Sequence, residues 1–226
     1  KADKTVHISP PKIETQFEDL PLTLPVFPLT GVLLLPRAKL PLNIFEPRYL
    51  NMALDAMRSD RLIGMIQPHQ ESDGDDPSQL YQVGCAGRIT SFSETEDQRL
   101  LITLTGVCRF RVAEELPTIR GYRMVRPQWD DFADDFKVDA GDIDRERLLA
   151  CLKAYLTANQ IEADWSAVAD SSAERLVTTL AMIFPFEPSE KQALLESNTV
   201  TGRSETIMTL MELASAKQGD GSHVRH

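Results

Sequence analysis

The chain is predicted to be an α+β protein: a pseudo-barrel β subdomain with one inserted helix, followed by a helical bundle. Two observations predict this. Apolar residues recur with the period of strands up to about residue 129 and with the period of helices after about residue 145. One helical stretch, opening at Pro47, interrupts the strand-like half. Strands gathered in one half and helices in the other favour α+β over a doubly wound sheet.

Leu24 to Leu50 carries five prolines between short apolar runs. Leu24–Leu29 and Lys39–Phe45 read as strands, with prolines that suit strand ends and sheet edges. Proline is favoured at the first position of a helix, where its missing N–H costs nothing, and Glu46 before it suits the positive end of the helix dipole. Leu50, Ala53, Leu54 and Met57 then supply an expected apolar face, and the helix should stop near Ser59-Asp60.

Leu62–Gln67 reads as a buried strand, and His69–Gln79 as a polar loop. Val83–Ser93 and Leu100–Val112 form a pair around a turn at Thr95–Gln98. In the second, Ile102, Leu104, Gly106, Cys108 and Phe110 alternate with Thr103, Thr105, Val107, Arg109 and Arg111, and Gly106 marks a bulge or bend. Tyr122–Trp129 closes the strand-like part.

Helical periodicity follows in three stretches. Their faces are Leu148, Leu152, Tyr155 and Leu156; Leu176, Leu180, Ile183 and Phe184; and Ile207, Leu210, Met211 and Ala214. Pro185 ends the middle helix, and Ser189 to Gln192 has the pattern of a capping box. The expected organisation is an extended or disordered arm over 1–20, a β subdomain over 21–129 and an acidic linker over 130–144. A helical subdomain over 145–217 and a disordered tail over 218–226 complete it.

The net charge of −10 lies in the back half. Up to Gln128 there are 15 basic and 16 acidic residues; from Trp129 on there are 9 and 18. That half would repel a phosphate backbone, so nucleic acid is disfavoured as a partner. Seven aspartates and one lysine between Asp130 and Asp144 read as a solvated linker, since no EF-hand spacing is present.

No apolar run approaches the roughly 20 residues that cross a bilayer, and no signal-peptide pattern opens the chain. Cys85, Cys108 and Cys151 are isolated and read as small buried hydrophobes. These features predict a cytoplasmic protein with no membrane contact. His7, His69, His223 and His226 are scattered through arm, loop and tail. With no C-x-x-C, G-x-S-x-G or H-E-x-x-H present, no catalytic residue, metal or cofactor is expected.

Three segments in series carry a family resemblance: Leu24-Pro-Val-Phe-Pro-Leu29 with Leu40-Pro-Leu-Asn-Ile-Phe-Glu-Pro-Arg-Tyr49, then Val83-Gly-Cys-Ala-Gly-Arg-Ile89, then Leu101-Ile-Thr-Leu-Thr-Gly-Val-Cys-Arg-Phe-Arg-Val112. Together they resemble the N-terminal, substrate-binding domain of Lon proteases. The resemblance implies a PUA-like barrel joined to a helical subdomain, and a role in recognising unfolded or tagged polypeptide. The 226 residues contain no G-x-x-x-x-G-K-[ST] phosphate loop, so ATP binding, ATPase and peptidase functions are not carried over. The expectation is a stand-alone, non-enzymatic module that binds unfolded or extended polypeptide, or a protein partner, as an adaptor for proteolysis.

The candidate peptide-binding residues are Phe45, Glu46, Arg48 and Tyr49 at the helix start, with Arg88 and Phe92 on the first strand of the later pair. Against this stands a structural role: Glu46 and Arg48 as a salt bridge at the helix start, Phe45 and Tyr49 as core. The competing function is a PUA-like nucleic-acid-binding protein using Arg88, Arg109 and Arg111 on phosphate. Three arginines without an aromatic platform support it weakly, and a solvent-facing position is expected for each.

Overall fold

The computed structural model describes residues 15–69, 79–117, 120–137 and 141–220, with side chains described as far as residue 216. Expectations for residues 1–14, most of the polar loop after His69 and the last six residues lie outside these. His7, His223 and His226 are among them.

Six strands form one sheet: β1 (Leu24–Pro28), β2 (Lys39–Ile44), β3 (Leu62–Ile66), β4 (Val83–Glu94), β5 (Leu100–Leu116) and β6 (Arg123–Gln128). Their order is β2-β5-β4-β3-β1-β6, and β6 also pairs with β5. The 17-residue β5 is the spine. Along one edge, β2 pairs with Leu100–Thr105 and β6 with Arg111–Leu116. The ring β5-β4-β3-β1-β6 therefore closes, while β2 extends beyond it with its other edge open. Closure covers most of the edges of the five ring strands and leaves open those of β2 and of the outer half of β4, Thr90–Glu94.

The barrel interior is narrow. Leu24, Val26, Leu62, Ile66, Phe110 and Val125 fill it. A Cβ on Gly64 or Gly84 would lie 2.8 or 2.6 Å from the Phe110 ring, so both glycines make room for that side chain. Gly106 packs more tightly still, since its Cβ would stand 2.0 Å from the Leu35 carbonyl oxygen. The ladder skips a residue between Gly106 and Cys108, which is the bulge expected there.

Helix α1 (Pro47–Arg58) begins at the expected proline. Its buried face is Tyr49, Met52, Ala53 and Ala56 instead of Leu50, Ala53, Leu54 and Met57. The spacing is as predicted but the phase is one residue earlier. The Tyr49 ring packs 4.2 Å from that of Phe27 on β1, which fixes the rotation of the helix.

The helices that follow are α2 (Arg145–Ala158), α3 (Trp165–Asp170), α4 (Ala173–Ile183), α5 (Pro188–Glu196) and α6 (Val200–Asp220). The α2 face is the one predicted. In α4, Leu176, Leu180 and Phe184 are buried as expected and are joined by Val177 and Ala181, while Ile183 is 66% exposed, so the face is turned away from it. In α5 the cap lies two residues earlier than expected: the Glu187 N–H donates to the Glu190 carboxylate, and Gln192 is buried instead. Among the described residues, no helix is long and apolar enough to cross a membrane.

The segment 130–144 departs most from expectation. Asp130–Phe136 forms a short 3-10 helix, with Phe132 buried. Asp135 is buried against Arg109, so at these positions the acidic stretch is part of the core boundary and not a solvated linker. Phe17–Asp19, expected within an extended arm, is also a 3-10 turn, and Phe17 meets the Phe136 ring edge-on at 5.9 Å.

Candidate functional site

Two neighbouring features offer a surface for a polypeptide: the open edge of β2 and a cleft that begins at its first residue. The Gly106 N–H donates to the Ala38 carbonyl, which sets the phase of the β2–β5 ladder. Leu40, Leu42 and Ile44 then turn their main-chain groups toward β5, while Lys39, Pro41 and Asn43 turn theirs outward. Pro41 has no N–H to offer and falls at an outward position, where none is needed. The free edge thus presents two N–H groups, from Lys39 and Asn43, and three carbonyls.

The cleft lies between the β1–β2 connection and α4. One lobe, of about 600 Å³, is lined by Ala38 and Lys39 on one wall and by Thr179, Met182 and Ile183 on the other. A second lobe, of about 300 Å³, continues from it across Arg37, Glu174 and Thr178. Arg37 spans the two walls. Its guanidinium donates to Glu174 Oε1, with Nη2 at 2.5 Å, and Nη1 donates to the Asp135 carbonyl at 2.7 Å. Its φ is +65°, a left-handed backbone that costs a non-glycine residue about 1 kcal/mol.

Deeper in, two buried arginines hold the floor. Arg109 pairs with Asp135 at 2.8 Å, donates to the carbonyls of Leu195 and Ser197, and lies 4.7 Å from the Phe132 ring centre. This corrects the expectation of a solvent-facing arginine: the 3-10 helix over 130–136 packs on β5 and covers that face, and the aspartate neutralises the charge. Arg203, on α6, donates to the Leu194 and Ser197 carbonyls at the end of α5. Burial, and Arg109 beside it, push its pKa down to about 10.

The residues singled out from the sequence fall into two groups. Phe45, Glu46, Arg48 and Tyr49 meet at the corner from β2 to α1. Phe45 is 60% exposed under the Arg99 guanidinium, not in the core as expected, because it lies beyond the last β2 pair. Arg48 pairs with Glu46 at 2.8 Å and stacks over Tyr49 at 4.6 Å, and Tyr49 is buried, which raises its hydroxyl pKa. Arg88 and Phe92 lie on β4, on the far side of β5 from β2. Arg88 donates to the Thr15 hydroxyl, and Phe92 is exposed. The structure does not bring these two groups together.

Sequence reasoning missed the cleft residues. Arg37 stands alone between Pro36 and Ala38, without a pattern. Arg203 did leave a signal, since it occupies the apolar stripe Val200–Ile207–Met211 of α6, where a charge is out of place. Among the described residues, no cluster of His, Cys, Asp and Glu has the makings of a metal site.

Comparison with known proteins agrees with this architecture. Lon protease 2 of Myxococcus xanthus is 24% identical over 198 residues, covering 86% of this chain and 24% of that protein. Lon protease of Anaeromyxobacter dehalogenans is 23% identical over 205 residues, covering 89% and 24%. The chain thus spans about a quarter of the length of the curated relatives it matches. The crystal structure of a Lon N-terminal domain protein from Xanthomonas campestris shares the fold, with a TM-score of 0.58 and 24% identity over 83% of this chain and 97% of that one. So does the N-terminal domain of Mycobacterium avium complex Lon protease, with a TM-score of 0.60 and 15% identity over 84% and 98%. The family model of the ATP-dependent protease La (LON) substrate-binding domain matches residues 23–212, and the chain belongs to that family.

Proposed function

We propose that the chain is a binding module, not a catalyst, that takes extended polypeptide along the open edge of β2. The observation that carries this is the free main-chain edge of Lys39–Ile44, running between an apolar cleft wall at Ile183 and the exposed ring of Phe45. An added strand would gain main-chain hydrogen bonds from Lys39 and Asn43, and side-chain contacts at either end. Six residues of strand span about 20 Å, which sets the length of the bound segment. The 21–129 subdomain supplies the edge and the 145–217 subdomain the opposite wall. Glu46, Arg48 and Tyr49 hold the corner beneath Phe45, while Arg88 and Phe92 stand off this path.

The second part of the proposal is delivery of the bound polypeptide to a proteolytic machine, in the cytoplasm, where three unpaired cysteines are at home. Nucleic acid fits less well. Of the strand arginines, Arg109 pairs with Asp135, Arg111 with Asp131, Arg123 with Glu115 and Arg126 with Glu114, while Arg88 donates to the Thr15 hydroxyl. The four paired arginines offer phosphate little net charge.

The test is fluorescence anisotropy of a labelled, extended apolar peptide with three proteins: wild type, Asn43→Pro and Ile183→Asp. Asn43→Pro removes one outward donor at an edge position that proline tolerates. Both variants should weaken binding at least fivefold while the thermal midpoint holds. Undiminished binding by both would place the polypeptide elsewhere, and loss in Arg88→Ala and Phe92→Ala would move the site to β4.

A further inference from the structure

We infer that the inner lobe of the cleft is a carboxylate subsite, taking the C-terminal carboxylate of the bound polypeptide. The inference rests on the polypeptide reading above and adds to it a chemical class and a direction.

The charge balance of the lobe is the first observation. Its walls carry four cations, Arg37, Arg109, Lys137 and Arg203, and three carboxylates, Asp134, Asp135 and Glu174. Arg37 pairs with Glu174, Arg109 with Asp135 and Lys137 with Asp134. Arg203 is the fourth cation, and no carboxylate of the described residues lies within ion-pair distance of it. It is only 6% exposed, so its charge is removed from water with no carboxylate in direct contact; the anion that acts on it, Asp135, is already paired with Arg109. The carbonyls of Leu194 and Ser197 engage Nε and Nη2 and offset part of that cost. A buried charge ordinarily has a carboxylate of its own in contact, and this one shares Asp135 at longer range.

The second observation is where the remaining donors open. Nη1 of Arg203 has no hydrogen-bond partner among the described residues, yet it is not among the sealed polar atoms, which number one, Ser204 Oγ. Since Arg203 lines the lobe, Nη1 is reached from there. Thr178, half-buried, and Asn198, exposed, line the same space, and neither side chain has a hydrogen-bond partner among the described residues. A guanidinium N–H, a hydroxyl and an amide around one cavity form a donor set suited to a carboxylate.

The third is position. The inner lobe continues the outer one, which starts at Lys39, the first residue of β2. A chain lying on the β2 edge with its C-terminus in the lobe must run from Phe45 toward Lys39, antiparallel to β2. That is the better-bonded direction for an added strand.

The test uses the whole chain and four labelled peptides of one extended apolar sequence. One has a free C-terminal carboxylate and one a C-terminal amide. The other two carry the amide with a penultimate Glu or Gln, which separates a side-chain carboxylate from the terminal one. Two variants accompany wild type. Arg203→Gln removes the charge. Thr178→Glu leaves Arg203 in place and puts a competing carboxylate into the lobe on a helix that accepts glutamate.

The free acid should bind about tenfold more tightly than the amide, as charge-assisted hydrogen bonds allow. That preference, read as the ratio of acid to amide affinity within each protein, should vanish in Thr178→Glu and in Arg203→Gln. A preference restored by the internal Glu would assign the subsite to an acidic side chain and overturn the terminal assignment. Equal binding of all four peptides to wild type would overturn the subsite and leave the polypeptide reading standing. Failure of every peptide to bind would sink the polypeptide reading. Sulfate then decides the lobe: calorimetric binding of sulfate at constant ionic strength, lost in Thr178→Glu, would retain an anion site, and no heat would overturn it.

Discussion

Arg37 holds a left-handed backbone with a φ of +65° while its guanidinium ties Glu174 to the Asp135 carbonyl. Backbone and side chain therefore pull in opposite directions, and two substitutions separate them. Arg37→Ala keeps the strain and loses the ties; Arg37→Gly loses both. Urea midpoints should place the glycine variant above the alanine variant by about 1 kcal/mol, the reverse of the usual order. The reverse argument holds at Gly106, where an added Cβ would meet the Leu35 carbonyl at 2.0 Å. Gly106→Ala should cost roughly 2–3 kcal/mol, read from the same transitions. The thiols make a third expectation. Burial raises all three thiol pKa values, with Glu212 adding to the shift at Cys151, but Cys85 and Cys108 are enclosed whereas Cys151 is only half-buried. In the native protein at pH 8, mass spectrometry of alkylated protein should find Cys151 modified first and the other two protected. What the sequence hid at this scale was partner identity. Arg109 and Arg111 sit two positions apart on β5 and look alike in the chain, yet one is buried on Asp135 and the other lies exposed beside Asp131. No local pattern reveals that a segment some twenty residues later will fold over the first and not the second.

At the scale of elements, that same pair makes the prediction. Truncating Arg109 to alanine should cost about 3–5 kcal/mol, because Asp135 would be left as an uncompensated buried charge. Arg111→Ala, at an exposed pair, should cost at most about 1 kcal/mol. A double-mutant cycle between positions 109 and 135, followed by urea unfolding, should give a coupling energy well above that between 111 and 131; similar couplings would contradict the burial of the first pair. The strands and helices themselves were largely legible. Proline at the start of α1, alternation in β5 and the turn at Thr95–Gln98 each have a local physical cause, and each stands where expected. Phase was less legible than period. The α1 stripe is shifted by one residue because the Phe27–Tyr49 contact, between a strand and a helix twenty residues apart, decides which face turns inward. The α4 stripe is turned for a like reason: Val177 and Ala181 face inward, and Ile183 borders the cleft, where no described element covers it.

At the scale of the whole molecule, the fold leaves the edge of β2 open along its length and sets a cleft beside its first residue. The closed ring β5-β4-β3-β1-β6 pairs most of its own main chain, while β2 carries a free ladder edge along its whole length and the outer half of β4, Thr90–Glu94, carries a shorter one. The sequence resemblance pointed to the barrel and to the corner at Phe45–Tyr49, but the cleft was out of its reach. Its walls come from Ala38 and Lys39 and from α4, some 140 residues later, and no periodicity links them. The central claim is that extended polypeptide pairs with the β2 edge. The measurement that tests it most directly is amide hydrogen exchange, read by NMR residue by residue, with and without saturating extended peptide. Pairing predicts that the outward amides of Lys39 and Asn43 slow at least tenfold, while Leu40 and Leu42, already bonded to β5, change little. Saturation of the protein with both outward amides exchanging as fast as before would contradict the claim.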